Sequence, residues 1–461
     1  MNTPLRRIAP LIAGLALVAC ATRTTVPDLH ADVPAQWSNV AADDARLGSA
    51  PELDSWWTAF HDDRLNELIR RALAQNLGVQ QAALRLRAAR ALQHRSGTQF
   101  QPQLTFHTFS EPDPAATTSY YEIGFDAQWE FGFFGRGIGN ARVASADLQS
   151  AAVGEAAARA TLVAEVARDY VDLRAAQTRA GLLDRIVKLR QRRLDLAGVR
   201  LRLGLSAQID VDQRTAELAQ ARADAAEPKV AIAQAQQALD VLLAQPQPDA
   251  SLLESATQPS VGDVRFAPVP ADLVRTRPEI RQAELDVLRA AGELGIARAD
   301  LWPKLGLGGT LISATRLNGD LDHPNKAIPS LGPMIDIPLF DWGARHDVVK
   351  ARDAQLQAAV LGYRHAVLEG VAEAESALAQ WQGERLRTAA AAAVSELAQR
   401  ARTRALRLQA IGQADDNDRA QADIALAQSQ LQVSMAQRDA AIAFIAVYKS
   451  LGGALPPKVT P

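Results

Sequence analysis

Trp129-Glu130-Phe131-Gly132-Phe133-Phe134-Gly135-Arg136 and Pro338-Leu339-Phe340-Asp341-Trp342-Gly343-Ala344-Arg345 read as two versions of one junction. Each closes a proline-led strand pair and opens a run suited to a very long helix. After Arg136 the helix-ending glycine is Gly204, 68 residues on; after Arg345 it is Gly412, 67 residues on. At about 1.5 Å per residue, an unbroken helix of that length would span on the order of 100 Å. No compact enzyme domain needs such an element, and this chain repeats it. The junctions therefore point to a long helical conduit or strut joined to a small sheet.

The repeat extends upstream. Asn76-Leu77-Gly78-Val79-Gln80-Gln81-Ala82-Ala83 lies 201 residues before Arg277-Pro278-Glu279-Ile280-Arg281-Gln282-Ala283-Glu284. Pro102, Leu104 and Phe106 precede Pro303, Leu305 and Leu307 by the same 201. Past the strands the offset reads 209 at Arg136/Arg345, then 208 at Gly204/Gly412 and Asp210/Asp418. Each half thus reads helix, strand, strand, very long helix, turn, helix. Length alone would suggest roughly two to four domains; the duplication replaces them with one repeated unit.

Composition excludes several function classes. The net charge is −2, so there is no basic footprint for nucleic acid. The histidines at 30, 61, 94, 107, 323, 346 and 365 are scattered, without metal-ligand spacing, and no cofactor is expected. Gly135-Arg136-Gly137-Ile138-Gly139 lacks the spacing and βαβ setting of a dinucleotide loop and reads as a strand-to-helix bend. No P-loop or nucleophile elbow is present. The chain is not expected to be an enzyme, and energy for any transport must come from a partner.

Tyr121 to Gly132 alternates with period two. Tyr121, Ile123, Phe125, Ala127, Trp129 and Phe131 fall on one face, with Glu122, Gly124, Asp126, Gln128, Glu130 and Gly132 on the other. Its partner runs from about Pro102 to Phe109. The second copy pairs Leu305, Leu307 and Leu311 with Leu331, Ile335, Ile337 and Leu339, across a loop from Thr315 to Lys326. A soluble four-stranded meander packed on helices would alternate in the same way. Three features favour a membrane-spanning sheet. The strands approach the ~9–11 residues that cross a bilayer. Aromatics gather at their ends, as in interfacial girdles: Tyr120, Tyr121, Trp129, Phe133, Phe134, Trp302, Phe340 and Trp342. The adjoining helices also run too far away to cover the sheet. Four strands cannot close a barrel, so the chain must oligomerise.

The helical run Asn140 to Leu203 contains no proline. Leu182, Leu189, Leu196 and Leu203 recur every seven residues, as do Val187, Leu194 and Leu201, and, in the second copy, Val360, Val367, Ala374 and Trp381. Two such stripes suit coiled-coil packing on more than one neighbour. Heptads alone would also fit an isolated stalk without a lumen. Gly204 and Gly412 are suited to left-handed helix ends, and Ser206 and Asp415 are candidate N-caps for the returning helices. The stretch 246–270, with residues 21–60 and the C-terminus, reads as a collar.

At the N-terminus, an apolar run from Ile8 to Cys20 follows Arg6 and Arg7, as in a signal peptide. Leu17-Val18-Ala19-Cys20 resembles the lipobox of bacterial lipoproteins, and Cys20 is the sole cysteine. That resemblance implies cleavage before Cys20 and acylation there; Ala21, rather than Asp, agrees with outer-membrane sorting.

The two junction octapeptides, with Arg277-Pro278-Glu279-Ile280 and Ala283-Glu284, resemble the bacterial outer membrane factor family: the TolC-like and OprM-like efflux proteins with their NodT lipoprotein branch. The tip Arg202-Leu203-Gly204-Leu205-Ser206-Ala207-Gln208-Ile209-Asp210-Val211 belongs to the same resemblance, which covers nearly the whole mature chain. It implies a mainly α protein with a small transmembrane β part. Three copies would form a 12-stranded barrel on a long periplasmic α-helical barrel. The implied segments are a signal peptide (1–19), a lipidated N-terminal segment and collar (20–60), a first repeat (61–245), a collar or linker (246–275), a second repeat (276–452) and a tail (453–461). Within the repeats the strands are expected at about 102–134 and 302–341, and the tips at about 204–210 and 412–418.

The implied function is the exit duct of a tripartite efflux pump in the outer membrane of a Gram-negative bacterium, passing drugs or other small molecules. The implied partners are two further copies, outer-membrane lipid, a periplasmic adaptor and an inner-membrane pump of the RND or MFS type. The adaptor would be met by Gly204, Leu205, Ser206, Asp210, Gly412 and Gln413. The family's acidic ring at the second tip maps to Asp418; its next acidic position is Gln421 here, while Asp415 and Asp416 precede it. Asp415 and Asp416 read equally as a helix cap with a solvated neighbour or as pore residues. Like charges converging at a threefold constriction favour cations. The competing reading is a lipid-anchored coiled-coil adaptor or scaffold without a pore.

Overall fold

The computed structural model describes residues 52–111, 120–262, 277–316 and 327–453, with 24–29, 33–34, 37, 48–49, 264–265 and 273. Cys20, the signal peptide, most of the tail and most of both strand-connecting loops lie outside these residues.

Strands β1 to β6 are Gly48–Ser49, Gln103–Glu111, Tyr120–Phe131, Val264–Arg265, Lys304–Arg316 and Ala327–Asp336. After a short 3-10 turn at Trp56–Phe60, helices α1 to α9 are Asp63–Gln75, Leu77–Thr98, Arg136–Arg202, Gln208–Asp224, Glu227–Leu242, Ala250–Leu253, Pro278–Ala299, Ala344–Ala410 and Asp416–Ser450. The long helices α3 and α8 are each 67 residues. Contacts divide the chain into two compact units. One holds residues 24–29, Leu84–Val153 and Glu279–Ala366, and therefore the four-stranded sheet; the other holds the remaining described residues, including both helix-turn-helix tips.

Backbone conformation fixes the register of the repeat. Phe134 and Trp342 share a left-handed φ of 56° and 59°, and Gly135 and Gly343 follow at 90° and 87°. Gly204 and Gly412 are left-handed at 70° and 75°. All three pairs, and both ends of α3 and α8, are offset by 208 residues. The 209 read at Arg136/Arg345 is therefore corrected: Arg136 opens α3, whereas α8 opens one residue earlier, at Ala344. Asp341 caps that end, accepting from Gly343 N at 3.1 Å and Arg345 N at 3.2 Å.

In the sheet unit, the antiparallel order is β2-β3-β5-β6, leaving β2 and β6 as edges. Its register separates the faces row by row. Phe106, Phe125, Leu311 and Pro329 stand side by side; in the next row toward the helices, on the opposite face, stand Thr105, Asp126, Thr310 and Ser330. The apolar row is rimmed by further exposed side chains, Leu104, Leu331 and Ile335. A soluble protein seldom leaves such a face open. β6 ends at Asp336, so Ile337 and Leu339 leave the ladder flanking Pro338, which lacks an N–H to continue it.

In the tip unit, the core is aromatic. Phe444 lies 5.6 Å from Phe60, 5.5 Å from Trp381 and 4.9 Å from Tyr448, which stacks on Trp56 at 5.5 Å. β1 pairs in parallel with β4, Gly48 with Val264 and Ser49 with Arg265, joining two segments read as collar. The heptad stripe of the second copy is buried at Val367, Ala374 and Trp381. In the first copy Leu182, Leu189 and Leu196 are only half-buried and Leu203 is exposed, whereas Leu183 and Ile186 pack against Ala221, Ala225 and Ala427, joined by Val187 of the second predicted stripe. The return from the first tip, expected as one helix, is two. α4 ends at Asp224, and Pro228 sits at the second position of α5, where its missing N–H has no helical partner to lose. The second return, α9, is unbroken for 35 residues.

Candidate functional site: the two helix-turn-helix tips

Both tips are made the same way. Helix α3 ends at Arg202 because left-handed Gly204 reverses the chain, with Gly204 N donating to Leu201 O and Leu205 N to Arg200 O, at 2.9 and 2.8 Å. Helix α8 ends equivalently, with Gly412 N donating to Gln409 O and Gln413 N to Leu408 O, at 3.0 and 2.8 Å.

The helices that follow start differently. Asp415 caps α9 in a reciprocal box: Asp418 N donates to Asp415 Oδ1 at 2.9 Å, and Asp415 N donates to Asp418 Oδ2 at 3.1 Å. The N-cap of α4 is Ala207, not Ser206. Ser206 lies one residue too early, and its hydroxyl is buried with no hydrogen-bond partner among the described residues. Ala207 has no side-chain acceptor, so only half a box remains, Ala207 N donating to Asp210 Oδ2 at 3.3 Å.

The second tip is also tied to α3. Asp416 accepts from Arg192 at 2.9 Å and from Gln409 at 2.7 Å, and Arg200 reaches Asp415 at 3.5 Å. The hydrogen bond from Arg192, and then its charge, hold the Asp416 carboxyl below the usual aspartate range. One layer further from the turn, buried Arg193 donates to Asn417 at 2.9 Å and to Gln421 at 2.5 Å. Burial first, and then the guanidinium of Arg214, pull the Arg193 pKa below its usual value. Glu217 faces this group from α4 and receives hydrogen bonds from Arg190 and Arg214. Buried Asp423 receives Arg402 at 2.5 Å, with Arg185 at 3.6 Å and Arg419 at 3.8 Å, linking α3, α8 and α9.

The aspartates proposed from sequence are thus close together and all engaged: Asp415 and Asp418 in the box, Asp416 in an ion pair. Gln421 is a partner of Arg193. The first tip presents Leu203, Leu205 and Ile209 exposed, with Gly204 between them. Sequence reasoning missed Arg192 and Arg193, because no local spacing pairs residues more than 200 apart, and missed Asp423, whose partner Arg402 lies 21 residues away across the tip on α8. Among the described residues no group of His, Cys, Asp or Glu could hold a metal, and no helix is long and apolar enough to cross a membrane.

Open sheet, long paired helices and glycine tips together define a channel-forming membrane protein. Residues 68–245 and 269–453 match the family model of outer membrane efflux proteins, and the chain belongs to that family. It is 28% identical to a nodulation protein T of Rhizobium leguminosarum bv. viciae over 378 residues, 81% of this chain and 78% of the relative. It is 26% identical to the cation efflux system protein CusC of Escherichia coli over 385 residues, 81% of this chain and 82% of the relative. Its fold matches the outer-membrane channel OprN with a TM-score of 0.79 at 25% identity, covering 94% of this chain and all of that one. The chain is the outer membrane channel of an efflux pump, working with an adaptor protein and an inner-membrane pump, and extends into the periplasm of a Gram-negative bacterium. A scaffold without a pore is set aside. The family is one of channels, not of known enzymes.

Proposed function

We propose that three copies of this chain form one passive duct, their sheets closing a twelve-stranded barrel in the outer membrane and their long helices a periplasmic α-helical barrel. The observation that carries this is the sheet, four strands with two free edges and one exposed apolar face. Edges left open in lipid would strand unpaired N–H and C=O groups, and a barrel needs about eight strands. The β1–β4 pair supports a collar made from residues 20–60 and 246–275. Cys20 carries the lipid that anchors the mature N-terminus.

Gly204, Leu205, Ser206, Asp210, Gly412 and Gln413 meet the periplasmic adaptor, which links the duct to an RND-type or MFS-type pump for drugs or other small molecules. The second tip narrows the pore. Asp418 lines it with Asp415 and Asp416 beside it, and because Asp416 and Asp415 are met by Arg192 and Arg200, Asp418 carries the charge by which the resting pore favours cations. The test is conductance of the purified protein in planar bilayers. Discrete channels with cation preference, lost in Asp418→Ala, support the reading; an absence of conductance removes the duct, and unchanged selectivity in Asp418→Ala removes the ring.

A further inference from the structure

Within the sheet unit the two repeats meet along one seam, where α3 of the first repeat packs on α7 of the second. Glycines make it close. A Cβ on Gly292 would stand 2.8 Å from Val143 Cγ2, and one on Gly139 would stand 2.8 Å from Ile296 Cγ1. At its sheet end Phe134 stacks on Trp302, with centroids 5.6 Å apart, and Arg136 pairs with Asp300.

The repeat implies a second seam of the same kind, between α8 and a helix equivalent to α7. That equivalent is α2, whose 22 residues match the 22 of α7 at offset 201. The faces concerned are bare in the single chain. Leu285 on α7 is 0% exposed, but its counterpart Leu84 on α2 is 58% exposed. Val153 on α3 is 7% exposed, and its counterpart Leu361 on α8 is 63% exposed. Ala91, Ala351, Ala354 and Ala358 are exposed too, as is Trp342, the counterpart of Phe134.

We infer that a second copy of this chain covers this face, its α2 lying on α8 in the register that α7 keeps on α3. The inference rests on the oligomeric reading above and specifies its contact. Carried over at offsets 201 and 208, Val143·Gly292 becomes Ala351 against Ala91 of the second copy. Gly139·Ile296 becomes Asp347 against Arg95, and Phe134·Trp302 becomes Trp342 against Gln101. The replacements compensate each other. A valine over a glycine becomes two alanines, which keeps the close approach while sharing the volume. A glycine over an isoleucine becomes an aspartate over an arginine, a complementary pair. Among the described residues Arg95 has no carboxylate partner, and Asp347 has only the exposed Lys350, at 3.0 Å on its own helix. Such a contact joins two different faces, so successive copies add head to tail and can close a ring.

Intermolecular cross-linking tests the register. The full chain carrying Ala91→Cys and Ala351→Cys is purified in detergent, oxidised, and run on a non-reducing gel beside each single variant. The intrachain template brings a Cβ on Gly292 to 2.8 Å from Val143 Cγ2, so the same register would bring the mapped pair close to the Cβ separation of about 3.5–4.5 Å that a disulfide requires. The expected result is a ladder of covalent oligomers in the double variant only, forming at least tenfold faster than in Ala88→Cys with Ala351→Cys, which is one helical turn out of register. Light scattering on the unmodified protein separates the two possible failures. Trimers without a ladder, or with an equally fast ladder from the shifted pair, overturn this seam and leave the oligomer standing. A monomer overturns both. Charge reversal gives a second measure: Arg95→Asp or Asp347→Arg alone should lower the detergent concentration at which the oligomer dissociates, and the two together should restore it. Failure of that rescue removes the charged pair.

Discussion

The two tips share a backbone and differ in their side chains. Gly204 and Gly412 turn the chain identically and each follows an exposed apolar residue, Leu203 or Ile411, yet the first tip goes on to expose Leu205 and Ile209, where the second has Gln413 and Asn417, and starts its next helix on Ala207, without a side-chain cap. The second starts on Asp415, closes a box with Asp418, and is tied to α3 through Arg192 and Arg200. Duplication supplied one turn, and a handful of positions made one copy apolar and loosely held and the other acidic and clamped. An apolar, unclamped tip suits burial against another protein. A clamped acidic one suits a fixed charge in a pore.

The first tip should be the more sensitive of the two to substitution. Leu205→Asp with Ile209→Asp should lower efflux-dependent drug tolerance at least tenfold, whereas Gln413→Asp, a polar-for-polar change at the position equivalent to Leu205, should lower it only a few-fold. Equal losses would remove the division of labour. The next effect is common to both tips. Gly204→Ala and Gly412→Ala each place a Cβ in a left-handed turn, at a cost of about 1–2 kcal/mol. Amide exchange in the last turns of α3 and α8 should rise equally in the two variants.

The caps come third. Asp415→Ala should free the first turn of α9 by about 1 kcal/mol, and Ala207→Asp should steady that of α4 by a similar amount; exchange rates that do not move in opposite directions would erase the asymmetry. The smallest effect is acid loosening of the second tip. Because Arg192 lowers the pKa of Asp416, that contribution is complete above the unfolded value of 3.8 and is lost as pH falls through the lower folded value. Both side chains are substantially exposed, so salt screens the pair. The acid transition in Arg192→Ala should lose this component and become less dependent on ionic strength.

Much of this was legible in the sequence where one local rule decided the outcome. Period-two alternation located β3 to within a residue at either end, left-handed glycines ended both long helices, and Asp415 announced its cap. Boundaries failed where two signals competed. The conspicuous arginines invited an offset of 209, but the turn is set by the residues before them, Phe134-Gly135 and Trp342-Gly343. Ser206 has the chemistry of a cap, and the turn places Ala207 there. Leu182 and its heptad partners form a visible stripe, but packing uses the line beside it, through Leu183 and Ile186. The ties from Arg192 and Arg193 to the second tip had no sequence signal, because their partners lie 224 and more residues away and only the fold juxtaposes them.

The two 67-residue helices also make length a jointly inherited trait. Losing one heptad from α3 alone would set its tip about 10 Å out of step with that of α8. A lineage adapting to a narrower or wider cell envelope must therefore alter both copies, and the helices returning from them, by matching amounts. Fourfold-matched insertions or deletions of whole heptads are the lengths at which relatives of this channel should be found to differ.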